Sequence, residues 1–181
     1  MAMPLITTNT SSNAASSSFT SSIDSTYKLY IFKFYDVNPA TDGVDFTFNG
    51  SDDTSSWSYD ITKTTSFFEG YQEEDAGSPS VLYKSDHDEA QSTDPQILAH
   101  DIGNAADDSC AGELFLFNPS NTTYRKHFYA RVHASYITSS DPASIDCFIG
   151  GYFNTTAAIT AIQFKMDSGN MDSVIKMYGV G

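Results

Sequence analysis

The sequence predicts an all-β protein folded as a single antiparallel β-sandwich of jelly-roll-like build, and three observations support this fold. Apolar and polar side chains alternate with a period of two along several short segments, which is the pattern of half-buried strands. Clusters of Pro, Gly, Asn and Asp separate these segments, and no segment has a convincing amphipathic-helix periodicity. The aromatic residues are almost all Phe and Tyr, 13 and 11 of them, and both favour strands. About eight short strands without an internal repeat are typical of such a sandwich.

The clearest element is a predicted β-hairpin over residues 112–136. Leu114–Phe117 is a compact apolar run that ends at residues 118–121, where Pro119 suits a type I turn. The long segment that follows alternates strictly. One side is apolar apart from Lys126, and its residues are Tyr124, Phe128, Ala130, Val132, Ala134 and Tyr136. We name the other side the basic stripe, and it consists of Arg125, His127, Tyr129, Arg131 and His133.

The segments before this hairpin predict further strands. Tyr27–Val37 is apolar on both faces, which is typical of a central strand. A turn at residues 38–43 leads into Val44–Phe48, and these two strands are predicted to form a hairpin. Trp57–Ile61 alternates as a third strand that runs on towards Phe68. The acidic stretch 69–108 is interpreted as an excursion over one end of the fold, with a short strand at residues 81–83 and a helical turn at residues 96–99.

The segments after the hairpin predict the remaining strands. A turn at residues 139–142 leads into a strand over residues 145–153. The last predicted hairpin joins residues 159–166 to residues 174–180 through a turn at residues 167–170.

The chain is predicted to have two parts, an N-terminal arm over residues 1–18 and a sandwich domain over residues 19–181. A length of 181 residues suits one well-cored domain. Residues 7–22 are rich in Ser, Thr, Asn and Ala and carry no charge. Such a segment has too little apolar surface to order itself. It is either a flexible tail or an arm that becomes ordered against a neighbouring subunit, and we expect the arm.

Charge excludes several partners. The formal net charge is −14, and binding to nucleic acid or to an anionic membrane needs clustered Lys and Arg. Met1–Ile6 lacks the pattern of a secretory signal, so we expect synthesis in a reducing cytoplasm. The two cysteines, Cys110 and Cys147, lack CxxC spacing and are predicted to be buried free thiols.

The sequence predicts neither a catalytic site nor a cofactor. The motifs of common hydrolases, zinc proteases, phosphate-binding loops and dinucleotide-binding folds are missing from it. His127 and His133 share a strand face but lie about 20 Å apart, too far to bind one metal. His87 and His100 sit among acidic residues without metal-ligand spacing. Asp52–Asp53 and residues 86–89 could donate oxygens to calcium, although solvated loops explain them better.

The basic stripe has three interpretations. It could be an ordinary solvated sheet face. It could lie at a subunit interface, with Arg125 and Arg131 as ion-pair donors to the eleven carboxylates of a neighbour's 69–108 region. It could also bind a glycan or another anionic receptor, with Tyr129 as a stacking platform.

A set of short motifs spans nearly the whole chain from Phe19 onward. They are residues 22–27 (SIDSTY) with Tyr30, residues 38–43 (NPATDG), residues 116–124 (LFNPSNTTY), residues 151–153 (GYF), residues 162–164 (IQF), residues 168–170 (SGN) and residues 175–180 (IKMYGV). In these motifs the chain resembles the virion structural proteins of tailed bacteriophages of the marine and cyanophage type. The proteins of that family are described as tail-fibre-like, and the resemblance carries over no catalytic residues.

The resemblance implies a non-enzymatic virion protein, most simply a tail-fibre or tail-associated component for assembly and host adsorption. A capsid-decorating (cement) protein of similar fold is an alternative, and a carbohydrate-binding or carbohydrate-active β-sandwich is the alternative of another class. The expected partners are further copies of the chain, with a trimer favoured, other virion proteins and a host surface glycan. The expected location is the virion, after synthesis in the host cytoplasm.

Overall fold

The structure, a computed structural model, describes residues 2–75, 77, 79–137 and 142–181. Thirteen strands form in this part of the chain, and all of their pairings are antiparallel. Their bounds are β1 Leu5–Ala14, β2 Ser17–Phe19, β3 Leu29–Pro39, β4 Val44–Ser51, β5 Lys63–Glu73, β6 Ser80–Tyr83, β7 Ala90–Ser92, β8 Gln96–Ile102, β9 Cys110–Phe117, β10 Lys126–Ile137, β11 Pro142–Phe153, β12 Ala161–Met166 and β13 Met171–Val180.

The strands pack as two layers. The large sheet has the order β1-β13-β3-β9-β10-β11-β5, with the short strands β6 and β7 along the far side of β5. The small sheet has the order β8-β4-β12-β2, and one backbone pair, Tyr136 with Ile102, joins it to the large sheet. This arrangement confirms the predicted all-β antiparallel sandwich. The jelly-roll-like winding stays a prediction.

Aromatic side chains fill the space between the sheets. Phe164 on the small sheet lies 5.4 Å from Phe32 and 5.0 Å from Phe34 of the large sheet, measured between ring centroids. Phe46 and Phe48 flank the same ring at 6.0 and 6.2 Å. All five rings are fully or almost fully buried, so the alternating Phe residues of β3 and β4 form an aromatic centre of the core together with Phe164.

The predicted central hairpin is confirmed. β9 pairs with β10 from Leu116–Phe128 to Cys110–Ala134. On the apolar side of β10, Phe128, Ala130, Val132 and Ala134 are buried. Tyr124 lies before the strand and is 70% exposed, so the apolar side begins later than the alternation suggested.

The other two predicted hairpins are wrong. β3 pairs with β13 and β9, whereas β4 pairs with β12 and β8. β12 and β13 likewise lie in different sheets. The turns at residues 38–43 and 167–170 are therefore corners that carry the chain from one sheet to the other, and they meet where the Ala40 amide donates to the Asn170 carbonyl at 2.8 Å. Alternation reports which face is buried, and it does not report which strand is the neighbour.

Three local predictions also need correction or limits. Trp57–Ile61 is not a strand, and β5 begins at Lys63, although Ile61 is buried as its apolar character suggested. Residues 96–99 belong to strand β8 instead of a helical turn. The predicted strand at residues 81–83 is confirmed as part of β6. Residues 139–141 of the predicted turn lie outside the described residues.

The N-terminal arm is ordered against its own chain. β1 runs antiparallel to β13, and β2 runs antiparallel to β12, so the arm covers one edge of each sheet. The Asn9 side-chain amide donates to the Ser18 carbonyl at 2.9 Å and ties the two arm strands together. The order that the sequence attributed to a neighbouring subunit thus comes from backbone pairing within the chain. The predicted boundary at residue 18 falls inside β2.

Within the described ranges, the chain has no helix that is long and apolar enough to span a membrane. The predicted state of the cysteines is confirmed, since Cys110 and Cys147 are both free and buried.

Candidate functional site

The candidate site is the outward surface of the large sheet, which carries the basic stripe. His127, Tyr129, Arg131 and His133 all point outward from β10 and are exposed, and Arg125 lies just before the strand. We name this surface the outer face, and its central residues are Lys33 of β3, Glu113 and Phe115 of β9, the stripe residues of β10, Asp146, Phe148, Gly150 and Tyr152 of β11, and Ser66 and Phe68 of β5.

The charges of the outer face are paired within the chain. Arg131 Nε lies 3.0 and 3.1 Å from the two carboxylate oxygens of Asp146 on β11. Lys33 Nζ lies 2.8 Å from Glu113 Oε2 in the same row of the sheet. The hydrogen bonds to these carboxylates raise the pKa of Arg131 and of Lys33 above their ordinary values. Arg131 therefore has an intramolecular partner, where the sequence suggested a partner on a neighbouring subunit.

Two stacked aromatic pairs stand beside these charges. The rings of Phe115 and Tyr129 lie 4.5 Å apart at 18°, and the rings of Phe68 and Phe148 lie 5.0 Å apart at 5°. The Arg131 guanidinium lies 5.0 Å from the Phe148 ring centroid. Cross-strand stacking of this kind holds the rings upright on the sheet, because each ring supports its neighbour.

A slot opens between the two aromatic pairs, with Gly150 as its floor. The strand register places Gly150 directly between Ser66 and Tyr129. A Cβ atom added at Gly150 would meet only Ser66 Oγ, at 3.9 Å, so the space above the backbone is open. The slot has a volume of 360 Å³ and is lined on its sides by Tyr129, Phe148 and Phe68.

The remaining stripe residues make separate contacts. The Arg125 guanidinium lies 5.1 Å from the Tyr152 ring centroid, and the His127 ring lies 6.1 Å from the same ring. His133 Nε2 lies 2.8 Å from Ser144 Oγ. Apart from Tyr129, which stacks on Phe115 of β9, the stripe is thus a row of separate short-range contacts to β11 instead of one convergent group.

A buried histidine cluster lies beneath the acidic region. His100 Nε2 lies 2.6 Å from Glu69 Oε2, and His100 Nδ1 lies 2.9 Å from Asp101 Oδ2. The His87 ring packs against His100 at 4.6 Å, and His87 Nδ1 lies 3.2 Å from Asp86 Oδ1. Each of the two histidines thus lies beside at least one carboxylate of the acidic region. Among the residues that the structure describes, no three or more His, Cys, Asp and Glu side chains form a group that could hold a metal ion.

Two buried lysines were missed by the sequence reasoning. Lys63 and Lys126 both pair with Phe153 in the large sheet, one on each side, and their side chains point into the core. Lys63 Nζ donates to the Asp94 carbonyl, and burial lowers its pKa to about 8. Lys126 Nζ donates to the Tyr124 carbonyl at 2.9 Å, and burial lowers its pKa as well. The sequence signal for Lys126 was its position on the apolar side of the alternation.

The chain was compared with models of protein families, with curated proteins and with solved structures, and none of them matches.

Proposed function

We propose that this chain is a non-enzymatic structural protein of a tailed-phage virion, a tail-fibre or tail-associated component that serves assembly and host adsorption. The observation that supports the proposal is the outer face, a broad sheet surface with stacked aromatic rings and charges that are already paired. A surface of this kind suits lasting contact with another large surface, because aromatic groups contribute most to such interfaces. The resemblance of the sequence motifs to virion proteins supports the same role.

A second exposed apolar surface adjoins the outer face. In β6, Val81 is 79% exposed and Tyr83 is 59% exposed, and Tyr83 pairs with Phe68 at the margin of the outer face. Adjacent exposed apolar side chains on an otherwise acidic protein are typical of contact sites. Neighbouring virion proteins or further copies of the chain are the proposed partners.

The proposal is tested on virions and on the isolated protein. Particles banded in a density gradient are analysed by mass spectrometry, and gold-labelled antibody locates the protein on the tail or on the head. A constant copy number per particle with label on the tail is the expected result. Label on the head would favour the capsid-decorating alternative, and absence from washed particles would overturn the virion role.

A carbohydrate-binding module is the second candidate, and the Gly150 slot is the observation that favours it. Adjacent strands lie about 5 Å apart, so the slot between Ser66 and Tyr129 is about 10 Å wide between backbones and can take a ring. A sugar could stack its C–H face on Tyr129 while Ser66 and Glu113 bind its hydroxyls. The open space beside the Tyr129 ring supports the proposed stacking role of this residue.

The second candidate predicts binding that depends on the slot. Gly150→Leu should fill the slot and Tyr129→Ala should remove its wall, and each should weaken binding to host-surface oligosaccharides in a glycan array or by calorimetry. Tyr124→Ala is the matched control, because Tyr124 is an exposed tyrosine outside the slot. Equal binding by all three variants, or no binding by the parent, would remove this candidate.

A further inference from the structure

The outer edge of β1 is a long strand edge without a partner within the described part of the chain. β1 spans ten residues and pairs on one side with β13. Of the other edge strands, β2, β6 and β7 have only three, four and three residues, and β8, which has seven, pairs with β10 at one end through Ile102 and Tyr136. A long edge presents a row of backbone N–H and C=O groups that can pair with another strand, and proteins usually shorten, charge or interrupt such edges.

We propose that this edge of β1 pairs with the same edge of a second copy of the chain. The pairing would create an antiparallel β1–β1 contact and one continuous sheet across the two copies. The inference concerns contact between copies and does not depend on the virion role.

The distribution of charge favours a second copy as the occupant. The first 23 residues contain no Asp, Glu, Lys, Arg or His, so the whole net charge of −14 lies beyond them. Two copies repel each other through their acidic surfaces, and the repulsion is weakest where both approach with neutral segments. β1 is a long edge strand that lies in an uncharged segment.

The geometry limits where the contact can form. The register of β1 on β13 is regular from Thr7 to Ser11 and shifts on both sides of that stretch. Beyond it, the Asn13 amide already donates to Asp172 Oδ1 at 2.6 Å. Thr8 and Thr10 are exposed within the regular stretch, whereas the Asn9 side chain is held by Ser18. The contact is therefore centred on residues 7–11.

Symmetry makes the proposal specific. Two identical strand edges pair antiparallel about a two-fold axis perpendicular to the sheet. Directly opposed residues in an antiparallel pair point to the same side of the sheet. One residue of β1 must therefore lie on the axis, directly opposite the same residue of the second copy. This two-fold contact differs from the trimer that the sequence analysis favoured, and it can join single subunits or larger assemblies.

The first experiment adds charge to the edge of the full-length chain. The parent is expected to dimerise in sedimentation equilibrium, and more strongly at high salt because salt screens the acidic repulsion. Thr8→Glu with Thr10→Glu should weaken the dimer at least tenfold. Thr54→Glu with Ser55→Glu is the matched control, with the same added charge in an exposed loop, and it should dimerise like the parent. A parent that stays monomeric, or a β1 variant that dimerises like its control, would overturn the proposal.

The second experiment locates the axis by single-cysteine substitution at each position from Thr7 to Ser11. Under mild oxidation one position should form an intermolecular disulfide far faster than its neighbours. The native Cys110 and Cys147 are buried and do not compete. Equal cross-linking at all five positions would contradict a fixed pairing.

A final variant separates edge pairing from strand exchange. Thr10 and Val174 are partners across β1 and β13, so the double variant Thr10→Cys with Val174→Cys should form a disulfide within one copy. A disulfide between copies would mean that β1 is exchanged between subunits, and the proposed contact would then be wrong.

Discussion

Arg131 on β10 and Asp146 on β11 form an ion pair in which Nε lies 3.0 Å from Oδ1 and 3.1 Å from Oδ2. The two residues are not direct partners in the register, since Asp146 pairs with His133 and Arg131 pairs with Phe148. The contact is therefore diagonal across the strands, and Phe148 supports the guanidinium from below. The position of Arg131 is thus fixed by contacts with β11 of the same chain and does not require a neighbouring subunit.

Charge reversal at Arg131 should accordingly affect the folded subunit. Arg131→Glu places a carboxylate beside Asp146 and Glu113, so we expect a small fall in the melting temperature. Arg131→Glu with Asp146→Lys restores an ion pair of opposite direction and should recover most of the loss. Arg125→Glu is the control, because it makes the same charge reversal at a residue whose contact is the ring of Tyr152 instead of the carboxylate of Asp146. Equal melting temperatures for Arg131→Glu and the parent would show that the pair contributes nothing to the fold.

The same variants test the proposed subunit interface. If the stripe meets the acidic region of a neighbour, Arg125→Glu with Arg131→Glu should impair assembly in light scattering. The variant Arg131→Glu with Asp146→Lys has the same reversed charge at residue 131 but keeps an ion pair within the subunit. An assembly defect in this variant therefore reports on the interface and not on a less stable fold. Assembly of the Arg125→Glu, Arg131→Glu protein at the parental level would mean that the stripe is a solvated face.

Gly112 and Gly70 give a matched pair of glycines in the large sheet. A Cβ atom at Gly112 would lie 2.7 Å from the Val132 Cα, within the backbone of β10. Gly112→Ala should therefore force β9 and β10 apart and cost about 1–3 kcal/mol of the free energy of unfolding. A Cβ atom at Gly70 meets nothing within 4 Å, so Gly70→Ala should be neutral or stabilise by up to about 1 kcal/mol. Urea denaturation measures both, and an equal cost would contradict the close approach of β9 to β10.

The faces of the strands were predictable from the sequence, and the strand partners were not. The alternation of Phe128, Ala130 and Val132 predicted their burial, because a period of two separates the core side of a strand from the solvent side. The same pattern carries no information on the neighbour. β12 and β13 follow one another through a short turn and still lie in different sheets, because that turn is a corner.

The site was predicted as a stripe, and its chemistry depended on the neighbouring strand. Asp146 lies 15 residues after Arg131 in the sequence, and their contact exists only because β10 and β11 are paired. The Gly150 slot was likewise invisible, since it arises where a glycine on β11 lies between side chains of β5 and β10. Lys63 was not singled out, although the alternation of Trp57–Ile61 continues to it and places it on the same side as Ile61, which is buried.

The buried Lys63 should make stability depend on pH. Burial lowers its pKa from the ordinary 10.5 to about 8. Between these values the unfolded chain binds more protons than the folded chain, so the contribution of Lys63 to stability rises with pH from about 8 to 10.5. Below pH 8 the folded chain carries the full cost of burying the charge of Lys63. A fall of about 2.5 in pKa, at about 1.4 kcal/mol per pKa unit, makes this cost on the order of 3 kcal/mol.

Lys63→Met keeps the length of the side chain and removes the charge. We expect the variant to be more stable than the parent at pH 7, by about 1–3 kcal/mol, with a difference that narrows as the pH rises towards 10.5. Urea denaturation at four pH values between 7 and 10 measures the difference. Lys28→Met, at an exposed lysine, is the control for net charge. A difference that does not change with pH would mean that Lys63 does not titrate in this range.

Deletion of residues 2–14 should destabilise the subunit itself. It removes β1, which covers β13 from Leu5–Tyr178 to Ala14–Met171, and it removes Ile6, which packs against the core. The sequence alone suggested an arm that becomes ordered against a neighbouring subunit. Because β1 pairs within its own chain, its loss should lower the stability of the subunit itself.

The backbone amides of β13 that face β1 lose their partners, so they should exchange with solvent far faster in the truncated protein. Amides of β10 are the internal control, because both neighbours of β10, β9 and β11, are retained. Hydrogen exchange read by mass spectrometry, together with the melting temperature, decides the matter. A truncated protein with the parental melting temperature and unchanged exchange in β13 would mean that the arm adds no stability to the sheet.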